Sequence, residues 1–259
     1  MKNFKVLFLG DVVGPESTEY VAKHLWKLRE SYGADVAVVN GENCAAGNGI
    51  DRNGAELLLR GGADVITTGN HVFKRFEAES LLEDEKRVLR PANYPDRVAG
   101  AGFAMTEAAG RILLVINLMG VVEMEPIGDP FAKADAILRE NAGKYDFSLI
   151  DFHAEATSEK AALAFYLDGR AGAVIGTHTH VQTADEKILP GGTAFITDAG
   201  MCGPSMSVLG VDPKCIIKKL TLHTPVKFEI AKNPTEINGV LTEFDAQSGK
   251  AVSIERIRI

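Results

Sequence analysis

The sequence is poor in several residue types, and each scarcity excludes a class of protein. Only 3 of its 259 residues are cysteine, so neither a disulfide framework nor a zinc site built on cysteines is predicted. Lysine and arginine number 28 against 35 aspartate and glutamate, giving a formal net charge of −7, which argues against wrapping of duplex DNA by a basic face. No apolar run approaches the ~20 residues of a membrane-spanning helix or resembles a signal peptide. We therefore expect a cytoplasmic protein that contacts neither a membrane nor duplex DNA.

The order of apolar patterns predicts a single α/β domain over residues 1–259. A chain of this length can bury a large core within one domain, and helix-type spacing alternates with short β-rich runs, as when helices cover a sheet. From about residue 225 the pattern changes to hairpin-like strands, which predict an antiparallel structural segment. The predicted helices are 21–31, 54–60, 77–82, 131–141 and 158–167, and the predicted strands are 5–9, 35–39, 65–67, 111–117, 147–150, 173–175, 193–197, 226–231, 239–245 and 251–258.

Three irregular segments interrupt this pattern. The longest, residues 118–130, contains two glycines and two prolines, and residues 91–95 and 199–204 are shorter. Long loops inside compact domains are usually functional or contact a partner. We expect walls of a site or subunit contacts in these segments.

Polar residues of the kind that bind metals follow five apolar runs. Each has an ordinary alternative, since a lone Asp11 often caps a turn and His153 can be a satisfied, partly buried histidine. Glycine precedes three of the groups, and a residue without Cβ lets the backbone turn sharply and approach a ligand closely. Because the carboxyl ends of parallel strands form one edge of a sheet, their joint occurrence predicts one site. The series is Asp11, Glu42-Asn43, Asn70-His71, His153 and His178-Thr179-His180.

The ligand types indicate a hydrolytic metal site. Carboxylate, amide oxygen and imidazole without thiolate suit manganese, iron or zinc in mixed nitrogen and oxygen coordination. One acid can bridge two cations, which generate a hydroxide nucleophile, and Glu42 is central in the series. Neither a nucleophile elbow nor a Walker loop is found. The residues therefore predict a dinuclear metal hydrolase.

Taken together, these blocks resemble the five blocks of the calcineurin-like metallophosphoesterase superfamily, and more closely its YmdB-like branch of bacterial phosphodiesterases. The similarity extends over nearly the whole chain, including residues 151–160, 176–185 and 197–204. It implies a four-layer αββα sandwich of two mixed sheets flanked by helices. It also implies two metal ions, iron or manganese with zinc or magnesium as alternatives, and hydrolysis of cyclic nucleotides or other phosphodiesters.

The resemblance also implies roles for individual residues. His71 resembles a histidine that does not bind metal but stabilises phosphoryl oxygens or protonates the leaving alkoxide. The superfamily commonly has histidine where this chain has Val13, and aspartate where it has Glu42. We hypothesise that the Asn43 amide oxygen replaces the missing imidazole; the alternative is a first metal that is simply weak and exchangeable. By analogy one metal is held by Asp11, Glu42, Asn43 and His180, and the other by Glu42, Asn70, His153 and His178.

Three functions remain in competition. The first is a phosphodiesterase that hydrolyses small cyclic nucleotides by a metal-activated hydroxide. The second is a metallophosphatase acting on phosphomonoesters or phosphoproteins, and the third is a metal-binding regulatory protein with little turnover. We expect a homo-oligomer with a small phosphodiester substrate, and RNA or protein partners stay open.

Overall fold

The computed structural model describes residues 2–259, which form six helices and fourteen strands. Helices α1 to α6 are Pro15–Tyr32, Arg52–Arg60, Ala78–Asp84, Pro130–Glu140, Thr157–Tyr166 and Pro213–Leu222. Strands β1 to β14 are Phe4–Leu9, Asp11–Val12, Val36–Asn40, Val65–Thr67, Phe103–Ala108, Arg111–Met119, Phe147–His153, Ala173–Thr177, Lys187–Ile188, Ala194–Ile196, Met201–Pro204, Thr235–Glu236, Asn238–Phe244 and Ala251–Arg258. Within the described residues, no helix combines the length and apolar character needed to cross a membrane.

The strands form two large mixed sheets and one small sheet. The first large sheet has the order β14-β13-β1-β3-β4, in which β1, β3 and β4 are parallel and β13 and β14 are antiparallel to their neighbours. The second has the order β5-β6-β7-β8-β10-β9, with a parallel centre and antiparallel edges. The small sheet, β12-β11-β2, pairs Met201 with Asp11. Five of these parallel strands, β1, β3, β4, β7 and β8, end next to residues of the predicted site.

Three apolar cores show that the layers are helix, sheet, sheet and helix. Successive side chains of a strand point to opposite faces, so β1 directs Val6 and Phe8 into the core between the two sheets and Leu7 and Leu9 towards α1, α2 and α3. The outer face of the second sheet packs against α4 and α5 in the same way. Phe4 and Phe147 stack across the sheets with ring centroids 4.6 Å apart. The expected αββα sandwich is confirmed.

The secondary structure differs from the prediction in several places. Strand β5 was not predicted, and residues 199–204, expected to be irregular, contain strand β11. Residues 226–231 form no strand, because Ile230 makes only an isolated bridge to Val211 and most of the segment is exposed. Helix α6 was not predicted. Its start has ordinary signals, with the Asp212 side chain accepting from the Lys214 N–H and Pro213 in the first turn. It buries no residue, although Ile217 and Leu220 have the three-residue spacing of one helix face, so its apolar residues form an exposed stripe that packs against no core.

Asn93 ties two of the irregular segments together. Its Nδ2 donates to the carbonyl oxygens of Met119 and Gly128, both at 2.8 Å, and its Oδ1 accepts from the Met119 N–H at 3.0 Å. The next residue, Tyr94, packs edge-on against Phe73 with centroids 5.4 Å apart. Since Phe73 follows His71 by two residues, these segments lie beside the predicted site.

Candidate metal centre

The candidate centre lies where strands of both large sheets end. Asp11 follows β1, and Glu42 and Asn70 follow the neighbouring strands β3 and β4. His153 is the last residue of β7 and pairs with Thr177, the last residue of the adjacent β8. Direct contacts connect all eight predicted residues, so the fold brings the whole predicted set together.

Glu42 occupies the middle of the cluster. It is fully buried, and its Oε2 lies 3.1 Å from His153 Nε2. Its Oε1 lies 2.7 Å from Asn43 Nδ2 and 3.2 Å from His71 Nδ1. Two groups of residues place their ligand atoms close enough to hold a metal ion, since the atoms inside each group lie within 4.8 Å of one another. Glu42 belongs to both groups, which are Glu42, His153 and His178, and Asp11, Glu42 and His180. A carboxylate shared by two groups has the position of a bridging ligand.

Electron-rich atoms crowd around His153 in the first group. Its Nε2 lies 3.0 Å from Asn70 Oδ1 and 3.0 Å from His178 Nδ1, in addition to the Glu42 contact. Burial by itself would lower the pKa of His153, but the charge and hydrogen bond of Glu42 and the charge of Asp11 raise it to about 9. The surroundings therefore attract positive charge to this point. A metal ion can satisfy several such lone pairs at once, so the donors fit one.

Asp11 in the second group has an unsatisfied oxygen. Its Oδ2 accepts from the His178 N–H at 3.2 Å, while its buried Oδ1 has no hydrogen-bond partner among the described residues. Burial raises the pKa of Asp11. Since a buried polar atom without a partner is costly, the orphan oxygen also fits a cation. His180 Nδ1 lies 3.1 Å from the Leu209 carbonyl oxygen, which leaves Nε2 for a ligand.

Asn43 lies between the two candidate sites but turns its amide nitrogen towards them. Nδ2 is 2.7 Å from Glu42 Oε1 and 3.5 Å from His180 Nε2, whereas Oδ1 faces His71 Nδ1 at 2.8 Å. Metal ligation by Oδ1 would require the amide group to turn over. Val13, at the position of the missing imidazole, is buried, and its Cγ1 packs against Gly210. That packing restricts the space for a larger side chain at position 13.

His71 belongs to neither ligand group. Its side chain is 23% exposed, and its Nδ1 lies beside Asn43 and Glu42. Its Nε2 makes no hydrogen bond within residues 2–259. A half-buried imidazole with one nitrogen held and the other free can exchange a proton with a bound molecule.

Close approach explains the glycines that precede the candidate ligands. A methyl group on Gly69 would overlap the His153 ring, and one on Gly10 would overlap the Gly200 carbonyl group. The left-handed backbone occurs instead at two candidate ligands, His178 with φ 100° and His180 with φ 66°. The sequence shows no sign of this strain.

A buried ion pair holds this strained segment. Lys160 Nζ lies 2.9 Å from Asp198 Oδ2, and both side chains are fully buried. The same oxygen accepts from the Thr179 N–H at 3.0 Å and from its hydroxyl at 2.8 Å. On the other side, Glu155 Oε2 lies 3.0 Å from His178 Nε2. No role is predicted for Lys160, Glu155 or Asp198, although all three lie in the segments 151–160 and 197–204 that resemble the family.

The family model described as YmdB-like protein matches residues 7–257. The chain belongs to the YmdB-like family. A relative from Bacillus subtilis, named 2′,3′-cyclic-nucleotide 2′-phosphodiesterase, is 47% identical over 255 residues, which cover 98% of this chain and 97% of the relative. The predicted family is thereby confirmed.

Solved structures agree with the fold of this YmdB-like chain. A structure described as a novel phosphatase from Mycoplasma pneumoniae superposes with a TM-score of 0.92 at 35% identity, covering 100% of this chain and 94% of that one. The NAD nucleotidase of Haemophilus influenzae gives a TM-score of 0.59 at 15% identity, covering 99% of this chain and 55% of that one. At that identity the likeness concerns the fold alone.

Proposed function

We propose that this YmdB-like protein is a metal-dependent phosphodiesterase that hydrolyses small cyclic nucleotides, with 2′,3′-cyclic nucleotides as its preferred class. The observation that carries the proposal is the place of Glu42 in both ligand groups, because two cations sharing a carboxylate suit displacement at phosphorus. The name of the Bacillus subtilis relative supports the substrate class and the 2′ ester as the bond that breaks.

We propose that these donors hold two metal ions, iron or manganese, as the two candidate ligand groups support. When bound, the ions would lower the pKa of a coordinated water and neutralise charge on the phosphoryl group. Asp11 and Glu42 supply negative charge, and the orphan oxygen of Asp11 is ready to accept a cation. The proposed ligands of one ion are Asp11, Glu42 and His180, and those of the other are Glu42, Asn70, His153 and His178. Asn43 joins the first set in the arrangement in which its amide oxygen turns from His71 to the metal.

His71 is the proposed general acid. Asn43 Oδ1 holds Nδ1 at 2.8 Å, which fixes the ring and leaves Nε2 to face a substrate. In its protonated form His71 donates a proton to O2′ of the ribose as the bond between phosphorus and O2′ breaks. Water supplies the hydroxyl group that joins phosphorus and the proton that restores His71. The products are a free 2′-hydroxyl and a 3′-phosphomonoester.

A substrate panel tests this function against its two competitors. Metal-loaded protein is assayed with 2′,3′-cyclic AMP, 3′,5′-cyclic AMP and p-nitrophenyl phosphate, and chromatography identifies the products. We expect the highest kcat/KM for the 2′,3′-cyclic nucleotide and a nucleoside 3′-phosphate as the product. Preference for the monoester would favour the metallophosphatase. Full metal loading without turnover of any substrate would favour a regulatory protein.

We further propose that the protein is cytoplasmic and forms a homo-oligomer, and that the 259 residues of each chain form one domain. The three cysteines are free thiols, which suits a reducing compartment. Helix α6 buries no residue and exposes Ile217, Leu220 and Leu222, an apolar surface that a second copy would cover. Alternate residues of β1 enter two of the three cores, which supports a single unit. Light scattering after size-exclusion chromatography tests the oligomer.

A further inference from the structure

Four polar side chains lie in the largely apolar layer between the two large sheets. Asn40 and Thr67 come from β3 and β4 of the first sheet, and Asp151 and Thr177 come from β7 and β8 of the second. All four are fully buried. Each continues the alternation of residues that face the opposite sheet, and none has a role in the proposed chemistry.

Asp151 collects hydrogen bonds from the other three. Its Oδ2 accepts from Thr67 Oγ1 at 2.5 Å and from Asn40 Nδ2 at 2.9 Å, and its Oδ1 accepts from Thr177 Oγ1 at 2.7 Å. The orientation of the Asn40 amide is set independently, because its Oδ1 accepts from the Glu42 N–H at 3.1 Å. The carboxylate therefore joins the two sheets directly beneath the candidate centre.

The direction of these bonds decides how His153 is protonated. Thr177 Oγ1 lies 3.0 Å from His153 Nδ1. A hydroxyl group has one hydrogen, and Thr177 gives it to Asp151, so Thr177 can only accept from the imidazole. His153 Nδ1 therefore carries a hydrogen, and the ring presents Nε2 to Glu42 Oε2, Asn70 Oδ1 and His178 Nδ1.

We propose that Asp151, acting through Thr177, is a positioning residue that fixes the tautomer of His153 so that Nε2 binds the second metal ion. The inference rests on the proposed metal centre. Partners of this kind orient a ligating histidine and raise its basicity, and their loss typically costs ~10–100-fold in metal affinity. Through Asn40, the same network also holds the backbone of Glu42, so one carboxylate positions ligands from both sheets.

Stability alone does not account for the network. Burying a carboxylate and its partners carries a desolvation cost that well-packed apolar residues of similar volume avoid. Thr242 provides a matched reference, because it is equally buried in β13 and its hydroxyl has no partner among the described residues. Replacing either threonine by valine removes a buried hydroxyl of the same size, but only Thr177 is bonded to a candidate ligand.

The test uses Zn²⁺, which is diamagnetic, as the probe. Competition with a chelator measures the affinity of each site for zinc, and ¹⁵N NMR of labelled histidine reports the protonation of His153. Both measurements are made on the wild type and on Thr177→Val, Thr177→Ser, Asp151→Asn and Thr242→Val. We expect Thr177→Val to weaken one of two sites by ~10–100-fold and to lose the protected Nδ1–H resonance. Thr177→Ser should restore both, and Thr242→Val should match the wild type.

Asp151→Asn tests the same network with a second variant, so the test does not depend on whether Thr177→Val folds. Its amide group can donate to Thr177, which then donates to His153 Nδ1 and moves the ring hydrogen to Nε2, so the same site should weaken. Wild-type zinc affinity and an unchanged Nδ1–H resonance in both variants would overturn the proposal, as would an equal loss in Thr242→Val. Zinc binding is measured without substrate, so a wild type that binds two ions but hydrolyses nothing refutes only the proposed function. A wild type that binds no zinc refutes the metal centre itself.

Discussion

Asn43 Oδ1 lies 2.8 Å from His71 Nδ1. The same side chain donates from Nδ2 to Glu42 Oε1 at 2.7 Å, so Asn43 connects the proposed bridge with the proposed general acid. Asn43 is thereby a candidate for two tasks, metal ligation and orientation of an imidazole, and in the structure its amide oxygen performs the second. The first needs its amide oxygen at the metal, and the second needs it at His71, so mutation can tell them apart.

Replacing Asn43 by alanine tests the ligand hypothesis. We expect Asn43→Ala to lower the occupancy of one metal preferentially, because the first site would keep only Asp11, Glu42 and His180 from the protein, and excess manganese or iron should partly restore activity. Elemental analysis of protein purified without added metal, followed by titration with Mn²⁺, measures both effects.

The opposite result for Asn43 would be equally informative. Unchanged metal content with reduced turnover would refute ligation and leave Asn43 as the residue that orients His71. In that case the double variant with His71→Ala should lose little more activity than His71→Ala alone, since two residues that act as a unit are not additive.

Replacing Glu42 by glutamine should leave the fold intact, weaken metal retention and nearly abolish hydrolysis. The neutral amide loses the charge and the bridging capacity of the carboxylate, and its NH2 group would face donors, since Glu42 accepts from the Asn43 amide and the His71 N–H. Circular dichroism, metal analysis and turnover of 2′,3′-cyclic AMP are compared with Glu56→Gln on the exposed face of α2. Wild-type turnover by metal-loaded Glu42→Gln would show that Glu42 is not the bridge.

The candidate site was largely predictable because its residues follow a local rule. Asp11, Glu42, Asn70 and His153 each follow or end an apolar strand, and parallel strands bring such positions to one edge. Their partners follow no local rule. Lys160 and Asp198 lie 38 residues apart and meet only through the packing of α5, so the sequence around either residue does not predict the ion pair.

The limits of the fold prediction have a similar origin. Strands such as β3 and β7 have every residue buried, and their apolar runs are evident in the sequence. Residues 226–231 are mostly exposed, so burial imposes no periodic pattern on them. Helix α6 has apolar residues at helical spacing but exposes them instead of packing them into a core. Left-handed backbone at His178 and His180 is also set by tertiary contacts, because neither residue type demands it.

Asp11→Asn should separate metal affinity from stability. Burial raises the pKa of Asp11, so the folded state holds its proton more tightly than the unfolded chain does. The contribution of this carboxyl group to stability is full below the unfolded-state pKa and is lost as the pH rises through the folded-state pKa. Above that value, metal-free Asp11→Asn should therefore have a higher Tm than the metal-free wild type.

Bound metal should reverse the order of the two Tm values, so that the wild type unfolds at a higher temperature than Asp11→Asn. A ligand that binds only the folded state stabilises it in proportion to the logarithm of its concentration relative to Kd, and the variant loses a charged ligand. Thermal unfolding over a series of pH values, with chelator and with Mn²⁺, compares the variant with the wild type, and Asp96→Asn, at an exposed carboxylate, serves as the control. A lower Tm for Asp11→Asn in chelator would contradict the assignment of Asp11 as a strained ligand.

His71→Ala should lower turnover and leave the metal content almost intact, because His71 belongs to neither ligand group. General acid catalysis typically contributes ~10²–10⁴ in rate, and the proton that His71 gives matters most when the leaving group is a poor one. The loss should therefore be large for 2′,3′-cyclic AMP, whose leaving group is a ribose alkoxide, and small for bis-p-nitrophenyl phosphate, whose nitrophenolate leaves without a proton. His24→Ala, in α1, is the matched control and should behave as the wild type with both substrates. An equal loss with both substrates would mean that His71 stabilises the phosphoryl oxygens instead of protonating the leaving group, and loss of a full metal equivalent would make it a ligand.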